Sequence, residues 1–126
     1  MPLVRIDVPH TTTTQEREAI GGVVYDALVG VAGAPANDKF VIINAHEPDA
    51  LVMDPTYVVQ RTDRALIIQI TLNAGRTVEV KKALYKAIAE GLRQTIGLRT
   101  EDVFISLIEV PKENWSFGGG EAQYAD

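Results

Sequence analysis

The residue with the clearest capacity for chemistry is Pro2, which directly follows the initiator Met1. Aminopeptidases that remove an initiator methionine tolerate a small second residue such as proline, so the mature chain can begin with a secondary amine. A terminal amine has a reference pKa of about 7.7–8.0 and can act as a base near neutral pH. While Met1 stays attached, the Pro2 nitrogen is an amide without basicity. The simpler interpretation is that proline follows methionine only because it promotes N-terminal processing.

Two charged residues and an aromatic segment could complement such an amine. Asp38 could orient a carbonyl group or a water molecule, and the guanidinium of Arg76 could bind a substrate carboxylate. Three aromatic side chains near the C-terminus, Trp115, Phe117 and Tyr124, could form an apolar wall. Each has a structural alternative: Asp38 could cap a turn, Arg76 could be a solvated residue at a helix start, and the aromatic side chains could belong to a subunit interface.

An internal repeat indicates which elements position these residues. When the sequence is shifted against itself by 64 positions, a helix capped by Thr13 matches one capped by Thr77, and the glycines expected to end them, Gly33 and Gly97, also align. Apolar runs predict strands before and after each helix, at 3–8, 39–44, 67–72 and 103–108. The pattern predicts an α/β (α+β) fold of two β-α-β units related by a pseudo-twofold axis. The four strands would form one mixed sheet with both helices on one face.

This topology predicts where the candidate residues meet. Parallel strands of a β-α-β unit begin at the same edge of a sheet, so Pro2 and Asp38 should share an edge. If the first and third strands are antiparallel, the turn that carries Arg76 reaches that edge too, where the start of the second helix favours an anion. The fourth strand ends there and delivers the aromatic segment. His10 and His46 fall at the opposite edge and make a weak case for a metal site, so we expect no metal and no cofactor.

The uncovered face of the predicted sheet indicates self-association. The strands contain near-continuous apolar runs, at 40–43 and 65–72, which is typical of strands covered on both faces. Two helices cover only one face, so the other would be apolar and bare unless it packs against copies of the same chain. We therefore expect a homo-oligomer. The alternative is that the connector at 47–61 folds over that face, although it is polar and broken by proline.

The composition limits the function classes. The 126 residues are 46% hydrophobic, which favours a single domain over 1–126 with repeat halves at about 1–62 and 63–126. Twelve scattered basic residues against 17 acidic ones give a net charge of −5, which argues against a nucleic-acid partner. The chain has no cysteine, which excludes disulfides and thiolate chemistry. Without a signal-peptide pattern or an apolar run of roughly 18 residues, we expect a cytoplasmic protein without a membrane partner.

Five segments of the sequence form a specific combination. They are the Met-Pro start, Pro-Ala-Asn-Asp-Lys-Phe at 35–40, Ala-His-Glu-Pro at 45–48, Ala-Gly-Arg-Thr at 74–77 and Asn-Trp-Ser-Phe-Gly at 114–118. Together they resemble the tautomerase superfamily, and most closely the group of malonate semialdehyde decarboxylase, over essentially the whole chain. The resemblance implies a homotrimer with the bare sheet faces inside.

The resemblance also implies roles for the candidate residues. It makes Pro2 the catalytic amine and places Asp38 and Arg76 in the pocket of that proline. The apolar wall would be formed by three aromatic residues, Trp115, Phe117 and Tyr124. Some decarboxylases of this group carry two arginines around the position of Arg76, whereas this chain has Ala74 two residues earlier, which implies weaker or different binding of the substrate carboxylate.

Two reactions follow from how the Pro2 amine is charged. A neutral amine can abstract a proton alpha to a carbonyl while Arg76 holds a carboxylate, which is keto-enol tautomerisation of a 2-oxo acid. A protonated amine can polarise the carbonyl of a 3-oxo acid such as malonate semialdehyde, and the apolar wall then favours loss of carbon dioxide. We expect a cofactor-independent tautomerase or decarboxylase acting on a small oxo acid. The alternatives are a haloacrylate hydratase or dehalogenase and a non-enzymatic trimeric binding protein of the same fold.

Overall fold

The computed structural model describes residues 2–125, which form four strands and two long helices; Met1 and Asp126, and with them the question of Met1 removal, lie outside the described residues. The strands are β1 (Leu3–Pro9), β2 (Val41–His46), β3 (Leu66–Asn73) and β4 (Val103–Val110), and the helices are α1 (Thr14–Gly30) and α2 (Val78–Ile96). Short 3-10 turns at Thr100–Asp102 and Lys112–Asn114 stand before and after β4. Every predicted helix and strand is present, and β2 begins two residues later than expected.

The four strands form one mixed sheet in the order β2-β1-β3-β4. The pairs β1–β2 and β3–β4 are parallel, whereas β1 and β3 are antiparallel in the middle of the sheet. Arg5 lies opposite Gln69 in this central pair. Because these two residues occupy equivalent positions of the repeat, the pseudo-twofold axis passes between them. The predicted fold of two β-α-β units in one mixed sheet is confirmed.

The turns that lead into β2 and β4 obey the same symmetry. The backbone N–H of Asp38 donates to the carbonyl of Pro35 over 3.1 Å, and that of Asp102 donates to Arg99 over 3.0 Å. Both aspartates are buried, with 4% and 1% of their surface exposed. The repeat therefore extends from the strands to two turns that each bury a carboxyl group.

Both helices begin at the predicted threonine caps. The Thr13 hydroxyl accepts from the N–H of Glu16 over 3.1 Å, and the Glu16 carboxylate accepts from the N–H of Thr13 over 3.0 Å, which is a reciprocal capping box. The Thr77 hydroxyl accepts from the N–H of Val80 over 3.2 Å at the start of α2. Across residues 2–125, neither helix combines the length and the apolar character needed to cross a bilayer.

The helix ends match the prediction at one glycine and depart from it at the other. α2 ends against Gly97, which has a φ of 66°, the left-handed conformation that glycine adopts without a steric penalty. α1 is capped by Val31, so the expectation that Gly33 caps it was wrong. Gly33 has a φ of 75° but lies in the following turn, which Ala34 closes by donating to the carbonyl of Leu28 over 2.9 Å. Because of this turn, α1 ends earlier in its half of the repeat than α2 does in the other half.

The core lies between the two helices and one face of the sheet. Alternate residues of the central strands supply its floor, namely Val4, Ile6, Val8, Leu66, Ile68, Ile70 and Leu72. The helices supply its cover, with Ile20, Val24 and Leu28 from α1 and Leu84, Ile88 and Leu92 from α2. Each fully buried large aliphatic side chain contributes about 1.5–3 kcal/mol relative to exposure. The helices pack closely at Gly91, where an added Cβ would lie 2.6 Å from Cγ1 of Val23.

The opposite face of the sheet is uncovered, as predicted, but it is apolar only in part. Ile42, Phe104 and Ile108 are 37%, 43% and 39% exposed, so the connector at 47–61 does not cover them. Arg5 and Gln69 lie on the same face, on the two central strands. The expectation of a wholly apolar face was wrong because side chains alternate along a strand, and only every second residue of each apolar run reaches this face.

Candidate active site

A cavity of about 250 Å³ lies at the edge of the sheet where β1 begins. It is lined by Pro2, Leu3, Phe40, Trp115, Ser116 and Phe117. Pro2 is buried, and most of its neighbours in the lining are apolar. Charges act more strongly on one another in such surroundings than in water. The cavity therefore brings the predicted N-terminal position together with the predicted aromatic segment.

The first parallel strand pair brings the start of β2 to this cavity. The N–H of Val4 donates to the carbonyl of Phe40 over 2.9 Å, which holds Phe40 beside the start of β1. Asp38 lies two residues earlier and is buried, and it is not part of the cavity lining. Burial raises the pKa of Asp38 above its ordinary value because a charged carboxylate is poorly solvated there. Asp38 therefore holds a proton more readily than an exposed aspartate does.

The aromatic segment forms a continuous stack at one side of the cavity. The rings of Trp115 and Phe117 are stacked, with centroids 5.5 Å apart and planes at 14°. Tyr124 meets Phe117 edge to face, with centroids 4.9 Å apart. Gln123 closes this segment, since its side-chain oxygen accepts from the N–H of Phe117 over 2.9 Å and its amide nitrogen donates to Gly118 over 2.7 Å. The wall is thus held by side-chain hydrogen bonds as well as by ring contacts.

Arg76 is linked to the wall through Asn73, the last residue of β3. Its Nη1 donates to the backbone carbonyl of Asn73 over 3.1 Å, and its Nε donates to the carbonyl of Ala32 over 2.8 Å. The indole N–H of Trp115 donates to the side-chain oxygen of Asn73 over 2.7 Å. The guanidinium and the wall therefore share one supporting residue, although Arg76 is not part of the cavity lining.

The structure brings together some of the predicted site residues and places others behind them. Pro2, Trp115 and Phe117 line the cavity, and Tyr124 backs Phe117. The catalytic and binding roles of these residues, and of Asp38 and Arg76, stay predictions. Three lining residues were not predicted: Leu3, Phe40 and Ser116. Asn73 was not predicted either, and the one signal for it was its position in the turn that carries Arg76.

His10 and His46 lie at the opposite edge of the sheet, as the topology indicates, and they line a separate cavity. The Nε2 atom of His46 is 2.6 Å from Oδ1 of Asp7. Within residues 2–125, no three histidine, cysteine, aspartate or glutamate side chains are grouped as a metal site requires.

The family of the chain follows from matches along its whole length. Two family models, each described as tautomerase enzyme, match residues 38–118 and residues 2–61. The first model alone covers more than half of the chain. The chain belongs to the tautomerase family.

Individual relatives refine this placement. Probable tautomerase YusQ of Bacillus subtilis (strain 168) is 36% identical over 124 residues, which is 98% of each chain. The structure of FG41 malonate semialdehyde decarboxylase inhibited by 3-bromopropiolate is 41% identical, with a TM-score of 0.89 over 97% of this chain and 93% of that one. A second malonate semialdehyde decarboxylase is 26% identical, with the same TM-score over 97% of this chain and 95% of that one. The chain therefore falls in the malonate semialdehyde decarboxylase-like group of the superfamily.

Proposed function

We propose that this protein is a cofactor-independent enzyme that uses the amine of Pro2, freed by removal of Met1, to decarboxylate a small 3-oxo acid such as malonate semialdehyde. The observation that carries the proposal is the apolar cavity that Pro2 lines together with Trp115 and Phe117. The similarity to two malonate semialdehyde decarboxylases over nearly the whole chain supports it.

The decarboxylation needs a group that stabilises negative charge on the substrate carbonyl. A protonated Pro2 amine would donate a hydrogen bond to that oxygen, the bond to the carboxylate would break, and its electron pair would form an enolate as carbon dioxide leaves. The wall of Trp115 and Phe117 favours this step because a charged carboxylate is poorly solvated there and carbon dioxide is neutral. Asp38, in its protonated form, would orient the carbonyl group as a hydrogen-bond donor.

Arg76 is proposed to bind the substrate carboxylate. Its bonds to Ala32 and Asn73 use two of the five N–H donors of a guanidinium, so the rest of the fork is chemically able to hold an anion. The same bonds fix the orientation of the side chain, which lowers the entropy lost on binding. Because Ala74 stands where some relatives carry a second arginine, one guanidinium would do this alone.

Keto-enol tautomerisation of a 2-oxo acid is the second candidate activity. The similarity of the chain to YusQ, a probable tautomerase, favours this activity. In this reaction a neutral Pro2 amine would abstract the proton alpha to the carbonyl while Arg76 holds the carboxylate. The two activities require opposite charge states of the same amine, so the pKa of Pro2 would decide their ratio.

The assembly proposed with this function is a homotrimer with the uncovered sheet faces inside. The exposed Ile42, Phe104 and Ile108 on that face support it, since burial between subunits would remove their apolar surface from water.

The test combines a measurement of the intact mass of the protein with an assay of its activity. The intact mass of the purified protein should correspond to a chain without Met1. That protein should convert malonate semialdehyde or the enol of phenylpyruvate, and Pro2→Ala should lower kcat/KM by about 100-fold or more. Pro55→Ala, at an exposed position of the connector, is the matched control and should keep full activity. Full activity in protein that retains Met1 would exclude the proposed amine chemistry, and full activity in Pro2→Ala would show that the secondary amine of proline is not required.

A further inference from the structure

A second cavity, of about 260 Å³, lies at the edge of the sheet opposite Pro2. Its lining includes His10, His46, Glu47, Leu51, Met53 and Asp63. It is as large as the cavity of Pro2, and the proposed reaction uses none of its residues. A concave site with an apolar wall and a few polar groups has the general form of a small-molecule site.

The internal repeat relates the two cavities. A shift of 64 positions carries Leu51 onto Trp115 and Met53 onto Phe117, so the same part of each half supplies an apolar wall. The position equivalent to Pro2 is Leu66, which is 2% exposed and lies in the middle of the chain. The second cavity therefore lies at the place that the repeat relates to the first, and the position equivalent to Pro2 has no terminal amine.

Backbone hydrogen bonds show the same correspondence. The N–H of His10 donates to the carbonyl of His46 over 2.7 Å beside the second cavity. At the equivalent positions of the other half, the N–H of Ala74 donates to the carbonyl of Val110 over 3.0 Å. Both edges thus end in the same strand-closing bond, and the cavities differ in their side chains.

The two edges differ in charge. Arg76, which stands at the edge of Pro2, is matched in the first half by Thr12. Among residues 2–125, no lysine or arginine belongs to the lining of the second cavity, whereas the carboxylates of Glu47 and Asp63 do. The charged groups in the lining of the second cavity therefore favour a cation over an anion.

His46 adds an acceptor to these carboxylates. Its Nε2 is 2.6 Å from Oδ1 of Asp7, and both side chains are partly buried. When Nε2–H donates to Asp7, the Nδ1 atom of the neutral ring is an acceptor. An ammonium group carries only donors, so it is the complement of this set of polar groups.

The apolar wall of the second cavity is held in place before any ligand binds. It belongs to the connector between β2 and β3, in which Arg61 donates to the carbonyls of Asp54 over 3.0 Å and of Tyr57 over 2.8 Å. Val58 in the same connector has a φ of 66°, a strained conformation for a β-branched residue. A wall ordered in this way loses little conformational entropy on binding.

We infer that the second cavity is a binding site for a small organic cation, an amine with an apolar body. The ammonium group lies among Glu47, Asp63 and His46, and the apolar body packs against Leu51 and Met53. This site is separate from the proposed reaction at Pro2 and does not depend on it.

The two histidines of the sequence, His10 and His46, serve as reporters because both line this cavity. Their imidazole NMR signals are followed in the full-length protein at about pH 8, where a benzylamine probe is charged. Benzylamine should shift both signals saturably, and benzyl alcohol should bind about tenfold more weakly. Phenylacetate, which has the opposite charge, should leave the signals unchanged.

Matched variants test whether the carboxylates of Glu47 and Asp63 bind the ammonium group. Glu47→Gln combined with Asp63→Asn should weaken benzylamine binding about tenfold. Glu18→Gln combined with Asp26→Asn, on the exposed surface of α1, should leave it unchanged. Pro2→Ala should also bind benzylamine normally, which separates this site from the proposed reaction. No saturable shift with benzylamine, equal shifts with phenylacetate, or unchanged affinity in the Glu47 and Asp63 double variant would each overturn the inference.

Discussion

The indole N–H of Trp115 donates a 2.7 Å hydrogen bond to the side-chain oxygen of Asn73, across the edge where β3 ends and the C-terminal segment begins. The backbone carbonyl of the same Asn73 accepts from Arg76. One residue therefore sets the position of both the apolar wall and the guanidinium. A displacement of either group would change the shape and the charge of the cavity together.

Asn73→Ala should loosen the wall without removing the bond from Arg76, since that bond ends on the backbone. Loss of a hydrogen bond worth about 1 kcal/mol should lower kcat/KM by roughly five- to tenfold. Trp115 is the single tryptophan of the chain, so its fluorescence emission reports the same change directly. Asn73→Asp keeps an oxygen acceptor for the indole and should keep the wild-type emission, although its charge beside Arg76 should raise KM for an anionic substrate. Identical emission and kinetics in Asn73→Ala would show that the bond does not position the wall.

Replacement of each buried aspartate by asparagine should change the stability of the fold, and the two changes should have opposite signs. The change at Asp38 should be a gain. The pKa of Asp38 is raised above the ordinary 3.8, so the folded state favours the protonated form and loses stability as the pH rises through the folded-state pKa. Asp38→Asn should therefore raise the midpoint of thermal unfolding at neutral pH. The gain should shrink as the pH falls towards 3.8.

Asp102 is the symmetric control for this experiment. Its carboxylate accepts from the N–H of Thr62 over 2.7 Å and from the Thr62 hydroxyl over 2.5 Å. Asp102→Asn places an amide N–H₂ against one of these donors and should lower the free energy of unfolding by about 1–3 kcal/mol. A lower unfolding midpoint for Asp38→Asn at neutral pH would contradict the assignment of the Asp38 pKa shift to burial.

Removal of the Arg76 side chain should affect substrate binding more than turnover. Arg76→Ala should raise KM for an oxo acid by about tenfold to 100-fold, because the carboxylate loses its charged partner, and should change kcat less. Arg76→Lys keeps the charge without the planar fork and should give an intermediate KM. Arg99→Ala, at an exposed position, is the matched control and should leave KM unchanged. A fall in kcat at constant KM would instead place Arg76 in the chemical step.

The sequence carried enough information to locate the edge of the site. Pro2, Phe117 and Trp115 meet there because strand order and direction follow from the repeat and from the right-handed crossover of a β-α-β unit. The caps at Thr13 and Thr77 were predictable for a similar reason, since capping depends on a few neighbouring residues.

The details that the sequence did not reveal depend on distant contacts. Asn73 is a polar residue at a strand end, and only the packed structure brings the indole of Trp115 to its side chain. The early end of α1 arises from the turn that Ala34 closes. The position of a glycine in the sequence does not predict such a turn. The apolar runs did not reveal the polar residues on the uncovered face of the sheet. Side chains alternate along β3, so Gln69 and its flanking isoleucines lie on opposite sides.

The tight contact between the two helices at Gly91 provides a test of the fold itself. Gly91→Ala should lower the free energy of unfolding by about 1–3 kcal/mol, because its Cβ would lie 2.6 Å from Cγ1 of Val23. Val23→Ala in the same chain should relieve the clash and recover part of that loss. Gly22→Ala is the matched control: nothing lies within 4 Å of its Cβ, so the higher helix propensity should stabilise by roughly 0.5–1 kcal/mol. Chemical denaturation gives the free energy of unfolding of the wild type and of the three variants. Equal effects of the substitutions at positions 22 and 91 would contradict the close packing of the two helices.

The uncovered face of the sheet should hold the proposed trimer together. Phe104 is a large apolar side chain of that face and is 43% exposed, and Phe104→Glu would place a charge where the subunits are proposed to meet. Light scattering after size exclusion should show a trimer for the wild type and a monomer for this variant. Val52→Glu, at a position that is 82% exposed in the connector, should stay trimeric. A trimer that survives Phe104→Glu would place the subunit contacts on another surface, because a buried unpaired carboxylate costs several kcal/mol per subunit.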